Sequence, residues 1–197
     1  MQIDNYTLGI IWSIGSYTAG RFIFRHRNRY FLEQIQKYCS NSMYQQSGIT
    51  GKPQYVLKTN VFTPNDLPGW TERMAEQRNI PILTDYKDFL RAYFELHSRL
   101  DYCVAYRRKD KQSKYMKLRL RVYGNYILIQ SINSILNEQC GVGSKKAQWT
   151  NLNEKTSYLA YTAYDEIIEI FNWLTGTPYC EEYWRDVDQK LKEPIKL

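Results

Sequence analysis

Apolar residues along this 197-residue chain recur at two periods. Helical spacing, with apolar positions three and four apart, runs through about 5–15, 28–39, 65–77, 86–97, 125–138, 163–174 and 179–192. Alternation of apolar and polar residues, the mark of a half-buried strand, runs through about 21–26, 53–61, 101–108, 114–122 and 156–162. The clearest strand is YMKLRLRV, Tyr115 to Val122. It sets Met116, Leu118, Leu120 and Val122 on one face and Lys117, Arg119 and Arg121 on the other. The polar run RRKDKQSK, Arg107 to Lys114, separates two strands in the manner of a hairpin loop. That predicts antiparallel pairing and an α+β fold, not a doubly wound parallel sheet.

One predicted helix is unusual. LGIIWSIGSYT, Leu8 to Thr18, carries no charge and holds Gly9 and Gly15 inside an apolar run. Glycine inside a helix costs about 1 kcal/mol against alanine, so a close approach to another backbone is expected there. The pattern also repeats. LGIIWSIGSY matches RAYFELHSRL at an offset of 83, which sets Gly9 on Ala92 and Gly15 on Ser98. NRYFLEQIQKYC matches NYILIQSINSIL at 97, and KPQYVLKTN matches KTSYLAYTA at 103. Three matches in one order predict an internal duplication, residues 1–85 and 86–197. Between the first two matches the second half is longer by 97 − 83 = 14 residues. That is about one strand and a turn, so the first repeat is expected to have a shortened sheet that has lost most of one hairpin.

Charge sharpens the picture. The formal net charge is +7, and Arg107 to Arg121 alone holds eight bases and one acid, Asp110. Ala163 to Glu193 holds eight acids and three bases. A basic stripe fits a polyanionic partner. Arg21, Arg25, Arg27 and Arg29 form a smaller cluster in RFIFRHRNR. Four scattered cysteines without a C-x-x-C pair predict free thiols in a reducing cytoplasm. With only His26 and His97 beside them, a structural zinc site is not expected. No apolar run approaches a membrane span, and MQIDNYT lacks the basic and apolar regions of a signal peptide.

With its two repeats, its glycine-bearing apolar helix and its Phe89–Leu100 segment FLRAYFELHSRL, the chain resembles the LAGLIDADG homing endonuclease family. GWTERMAEQRNIPIL (Gly69 to Leu83) and YDEIIEIFNWLTGTPYCEEYWRDVDQKL (Tyr164 to Leu191) are similar to family segments as well. The resemblance implies two pseudo-symmetric αββαββα repeats, central helices packed through Gly9, Gly15, Ala92 and Ser98, and a saddle of antiparallel strands over DNA. In active members an acid at the end of each central helix binds a divalent metal for phosphodiester hydrolysis. Here those places fall on Ile14 and His97, and the other motif acids fall on Trp12 and Glu95. Glu95, Asp101 and Asp4 are the acids from which a displaced site could be built. Lys58 matches a basic residue that the family sets near the scissile phosphate, and its counterpart at offset 103 is Tyr161.

The resemblance therefore implies a cytoplasmic, monomeric protein that binds double-stranded DNA without cutting it, a regulator in a prophage or mobile element. Its DNA-binding residues would be Arg21, Arg25, Arg27, Arg29, Lys58, Arg107, Arg108, Lys109, Lys114, Lys117, Arg119 and Arg121. No cofactor is expected, and magnesium enters only if the chain is an endonuclease with displaced ligands. The same residues are also compatible with an RNA-binding maturase-like splicing factor and with an inhibitor that blocks another protein.

Overall fold

Asp4 starts the first helix. In the computed structural model, which describes residues 2–72, 75–106, 114–150 and 156–192, its carboxylate accepts the Thr7 N–H at 2.8 Å and the Thr7 hydroxyl at 2.9 Å. These bonds cap α1 (Asn5–Ile14). Every residue from Tyr6 to Ser13 is buried, so a charge at any of these positions would be stranded without water. The Gly15 N–H then bonds the Ile11 carbonyl, and the chain turns into a strand.

That strand, β1 (Gly15–Thr18), pairs with β2 (Arg21–His26) across the two-residue loop Ala19–Gly20. Both loop residues have positive φ, 49° and 75°, the requirement of a tight hairpin turn that follows the strand twist. The hairpin expected to be mostly lost is thus present but short, with strands of four and six residues. After α2 (Tyr30–Gln36) come β3 (Tyr44–Ser47) and β4 (Pro53–Thr59), giving an antiparallel sheet ordered β1-β2-β4-β3. The helix expected at 65–77 is replaced, among the described residues, by a single 3₁₀ turn, Pro64–Asp66. Pro68 lacks the N–H a helix needs, and Gly69 follows it at φ 56°.

The same element order then recurs. α3 (Lys87–His97) leads into β5 (Ser98–Tyr106) and β6 (Lys114–Gly124), where the corresponding hairpin strands are nine and eleven residues long. Next come α4 (Tyr126–Cys140), β7 (Gln148–Trp149) and β8 (Ser157–Tyr161), in a sheet ordered β5-β6-β8-β7. α5 (Tyr164–Leu174) and α6 (Glu181–Lys192) complete the described chain. Asn28 and Asn125, matched at offset 97, do the same job ahead of α2 and α4. Each side-chain oxygen accepts a helix-entry N–H, of Tyr30 and of Leu128, both at 2.9 Å. The fold is α+β, as expected, with two four-stranded antiparallel sheets.

Two compact units result: Met1–Leu96 with Gly176–Cys180, and His97–Thr175 with Glu181–Leu197. In the first, Phe22, Phe24 and Leu57 of the sheet are buried together with Leu32 and Ile35 of α2. Phe22 stacks on Phe24 at 5.7 Å and meets Phe62 at 5.3 Å. In the second, Leu118, Leu120, Val122 and Leu159 face α4 and α5, where Ile129, Ile132, Ile170 and Leu174 are buried. Among the described residues no helix is long and apolar enough to cross a membrane.

Inside the first unit α1 and α3 meet at Gly9. A Cβ at that position would lie 2.5 Å from the Phe89 carbonyl oxygen and 2.9 Å from the Ala92 Cβ. Gly9 and Ala92, paired in the sequence, are thus brought into contact. Gly15 is not part of that contact: a Cβ there would first meet Ile11 of its own helix, then Phe24 and Trp70. Ser98 belongs to the second unit, where its hydroxyl lies 2.6 Å from that of Tyr183.

Alanine is the better helix former by about 1 kcal/mol, so propensity alone would make Gly9→Ala stabilising. Overpacking against a main-chain oxygen reverses the sign. A loss of about 1–3 kcal/mol is expected in urea or thermal unfolding, and an unchanged or raised midpoint would show that α1 and α3 have room.

Candidate nucleic-acid interface

One face of each sheet is covered by helices; the opposite face is polar in the second unit and mixed in the first, where buried Ile23 and Val56 lie among the charged residues. In the second unit the register from Ser98↔Val122 to Tyr106↔Lys114 is continuous. Arg99 therefore sits opposite Arg121, Asp101 opposite Arg119, and Cys103 opposite Lys117, all on the polar face. Across β8, Arg121 pairs with Ala160 and Tyr123 with Tyr158. The two tyrosine rings lie 5.7 Å apart, and the Arg121 guanidinium stands 5.5 Å over the Tyr123 ring. Strict alternation sets Lys114 on the other side, with Met116 and Leu118, so it does not join Lys117, Arg119 and Arg121. Arg107, Arg108 and Lys109 lie outside the described residues.

Three cations in line repel one another unless an anion lies among them. Asp101 is that anion. Arg119 donates to it from Nε at 3.0 Å and from Nη2 at 3.3 Å, and Arg121 donates from Nη2. Arg99 stands further off, at 3.8 Å. Burial alone would raise the Asp101 pKa, but the hydrogen bonds from Arg119 and Arg121 outweigh it and hold the carboxyl below its ordinary value.

In the first unit, Arg21 and Arg25 share a face with Ile23, opposite to Phe22 and Phe24. Lys58 pairs with Ile23, and its ammonium stands 5.4 Å over the Tyr44 ring. Tyr44 pairs with Val56, and Gln46 with Gln54, on the same face. Arg27 follows the strand and donates to the Thr50 hydroxyl at 3.0 Å. Arg29 is paired with Glu33 at 2.9 Å on an exposed helix turn, a contact of about 0.3–0.5 kcal/mol. The match of Lys58 to Tyr161 slips by one residue. Tyr161 is fully buried opposite Leu120, whereas Ala160 shares the polar face. An offset of 102 sets buried Leu57 and Thr59 on buried Leu159 and Tyr161.

The residues at the ends of α1 and α3 do not suit a hard divalent cation, which takes oxygen ligands. Ile14 closes α1 and its side chain offers no ligand atom, and His97, half-buried, closes α3. Glu95 is a buried carboxylate with both oxygens engaged: Tyr6 donates its hydroxyl at 2.5 Å, and Cys180 its N–H at 3.1 Å. Burial, then the Glu95 charge, pushes the Tyr6 phenol far above its ordinary range, so it stays a donor. Asp101 is engaged by arginine. Asp4 caps α1 at the end away from Ile14, about 15 Å along a ten-residue helix. Trp12 is fully buried, edge-on to Trp70 at 5.1 Å and to Phe89 at 6.2 Å.

The sequence pattern did not point to Arg99, which lies two residues before Asp101 on the same face; the predicted strand begins too late to include it. Nor did it point to Arg78. This buried guanidinium stands 5.4 Å over the Trp12 ring and 5.6 Å over Trp70, and it donates to the Trp12 carbonyl. Nothing in the local pattern announces that contact, which spans 66 residues.

No family model matches the sequence, and no curated protein sequence matches it. Solved structures do match. The I-LtrWI LAGLIDADG homing endonuclease bound to target DNA superposes with a TM-score of 0.63 at 13% identity, over 96% of this chain and 90% of that one. The I-SmaMI LAGLIDADG homing endonuclease bound to cleaved DNA gives 0.61 at 10%, over 95% and 87%. The LAGLIDADG meganuclease I-CpaMI bound to uncleaved DNA gives 0.61 at 9%, over 96% and 91%. The fold is that of the LAGLIDADG homing endonucleases. At such identities the likeness is one of fold, and a fold does not by itself carry an activity.

The Asp101 cluster makes a pH-dependent contribution to stability. A depressed carboxylate pKa stabilises the fold above the ordinary aspartate range, and this is lost as pH falls through the folded-state value. Asp101→Asn is expected to cost about 1.5–3 kcal/mol at pH 7, with the deficit against the parent chain shrinking below about pH 4. Urea unfolding of both proteins from pH 7 to pH 3 measures it, and a deficit independent of pH would remove Asp101 ionisation as the cause.

Proposed function

We propose that this chain is a cytoplasmic, monomeric protein that binds double-stranded DNA on the polar faces of its two sheets and does not cut it, serving as a regulator in a mobile element or prophage. The observation that carries the reading is the basic face of β5 and β6, where Arg99, Lys117, Arg119 and Arg121 share one side in register. Arginines and lysines on such a face neutralise phosphates and release counterions. The solved structures that share the fold include endonucleases bound to DNA, which favours duplex DNA as the polyanion. A single chain carries both sheets, which favours a monomer. Loss of cleavage is favoured by the helix ends: the Ile14 side chain has no ligand atom, and the carboxylates of Glu95 and Asp101 are committed to protein partners.

Titration with random-sequence duplex DNA tests the reading. Saturable binding is expected, with log K falling linearly in log salt at about −0.9 per phosphate neutralised. Lys117→Ala should weaken binding to all sequences alike and flatten that slope by about 1. Supercoiled plasmid should stay intact with magnesium or manganese. Absence of saturable, salt-sensitive binding overturns the proposal. Metal-dependent nicking abolished by Glu95→Ala would instead make the chain an endonuclease. Preference for RNA in competition would make it maturase-like, and binding to neither nucleic acid would point to a protein target.

A further inference from the structure

We infer that Asp101 is a positioning residue for base recognition: it holds Arg119 and Arg121 as a paired fork aimed at guanine in the major groove of bound DNA. The inference rests on the duplex-DNA reading above and names how that face would choose its sequence.

The geometry separates this role from simple charge neutralisation. Arg119 meets Asp101 side-on, Nε to one carboxylate oxygen and Nη2 to the other. Of the five guanidinium donors, this contact uses the Nε–H and one on Nη2. The end of the fork, Nη1 with the second Nη2 hydrogen, is left for another acceptor pair. That is the edge that spans the N7 and O6 acceptors of guanine, the commonest specific arginine contact with a base. Arg121 reaches the same carboxylate through Nη2 from two residues along the strand. The bond to Asp101 and the stand of the guanidinium over the Tyr123 ring hold this side chain in one direction. Arg119 and Arg121 are 28% and 20% exposed, against 71% for Arg99 on the same face. Two guanidiniums are thus fixed and one is loose.

Fixing matters because a long side chain loses rotamer freedom when it binds. A carboxylate that has already ordered two arginines removes that loss from the recognition step. The same carboxylate repels a phosphate oxygen, so it disfavours the backbone as a competing ligand for this part of the face. With Arg99, the cluster carries three positive charges and one negative. Arg99, loosely held at 3.8 Å, keeps the role of a phosphate contact. Phosphate contacts set the position of a protein on DNA, and base contacts set the sequence.

Selection of bound sites from a randomised duplex library tests the inference with the full chain, Asp101→Ala and Arg119→Lys. The parent protein should select sites with guanine at one or two positions, about tenfold or more above the other bases. Asp101→Ala should lose that preference by about tenfold while its affinity for random duplex rises and its salt slope steepens by about 1. Arg119→Lys keeps the charge and removes the fork; it should lose the guanine preference by about tenfold. It carries the test alone should Asp101→Ala fail to fold, which thermal melting detects. A parent protein that binds duplex DNA with no guanine preference, or variants that keep the parent preference, overturns the inference and leaves the binding reading standing. A parent protein that does not bind duplex DNA overturns both.

Discussion

The first unit depends on how closely one helix can approach another. At Gly9 the missing side chain lets α1 come against the Phe89 carbonyl and Ala92 of α3. α1 is buried on every side from Tyr6 to Ser13, which is why it carries no charge there. Several polar side chains beside it are matched within the protein. Tyr6 gives its hydroxyl to Glu95 on α3. Fully buried Arg91 donates to Asp88 at 2.7 Å and to the Pro178 carbonyl at 2.8 Å, and so ties Gly176–Cys180 to α3. At the other end of α1, Arg78 reaches the Trp12 carbonyl. A cation suits a helix C-terminus, where unpaired carbonyls concentrate negative charge.

The sheets follow a different constraint. One face must meet helices, so it is apolar, and alternation delivers every other residue to the opposite face whatever its charge. On β6 this collects Lys117, Arg119 and Arg121, and the antiparallel partner β5 contributes Arg99 and Asp101. Such a density of like charge is tolerable because Asp101 accepts hydrogen bonds from two of the arginines. The shorter first sheet has the same strand order with fewer cations, and there Lys58 lies over Tyr44 and Arg25 shares a face with Ile23. The two faces are built by the same topology and differ in how their charge is held.

Much of this is legible in the chain itself. Helices with long apolar periods, such as α4 and α5, and strands with strict alternation, such as β6, carry their own evidence, because the periods 3.6 and 2 are properties of the backbone. So does the contact of Gly9 with Ala92, since only small residues suit a close crossing. The edge strands β1, β3 and β7 leave no such trace: at four, four and two residues they are too short to show a period. The segment at 65–77 is helical by spacing, but Pro68 and Gly69 stop it. The match of Lys58 to Tyr161 fails by one position, enough to exchange the two faces of a strand.

What the sequence determined by itself was therefore what is local and periodic: the element order, its repetition, the α+β class, and which side of β6 is basic. What only the tertiary structure decided was how the charges are spent. Glu95 and Asp101 look alike along the chain, as acids near the end of α3. Folding gives the first to a tyrosine hydroxyl and a backbone N–H, and the second to two arginines on the neighbouring strand. The bonds that matter join residues 18 to 89 positions apart. No local pattern encodes partners at that range; they are chosen by packing, which sets which polar groups lose water together.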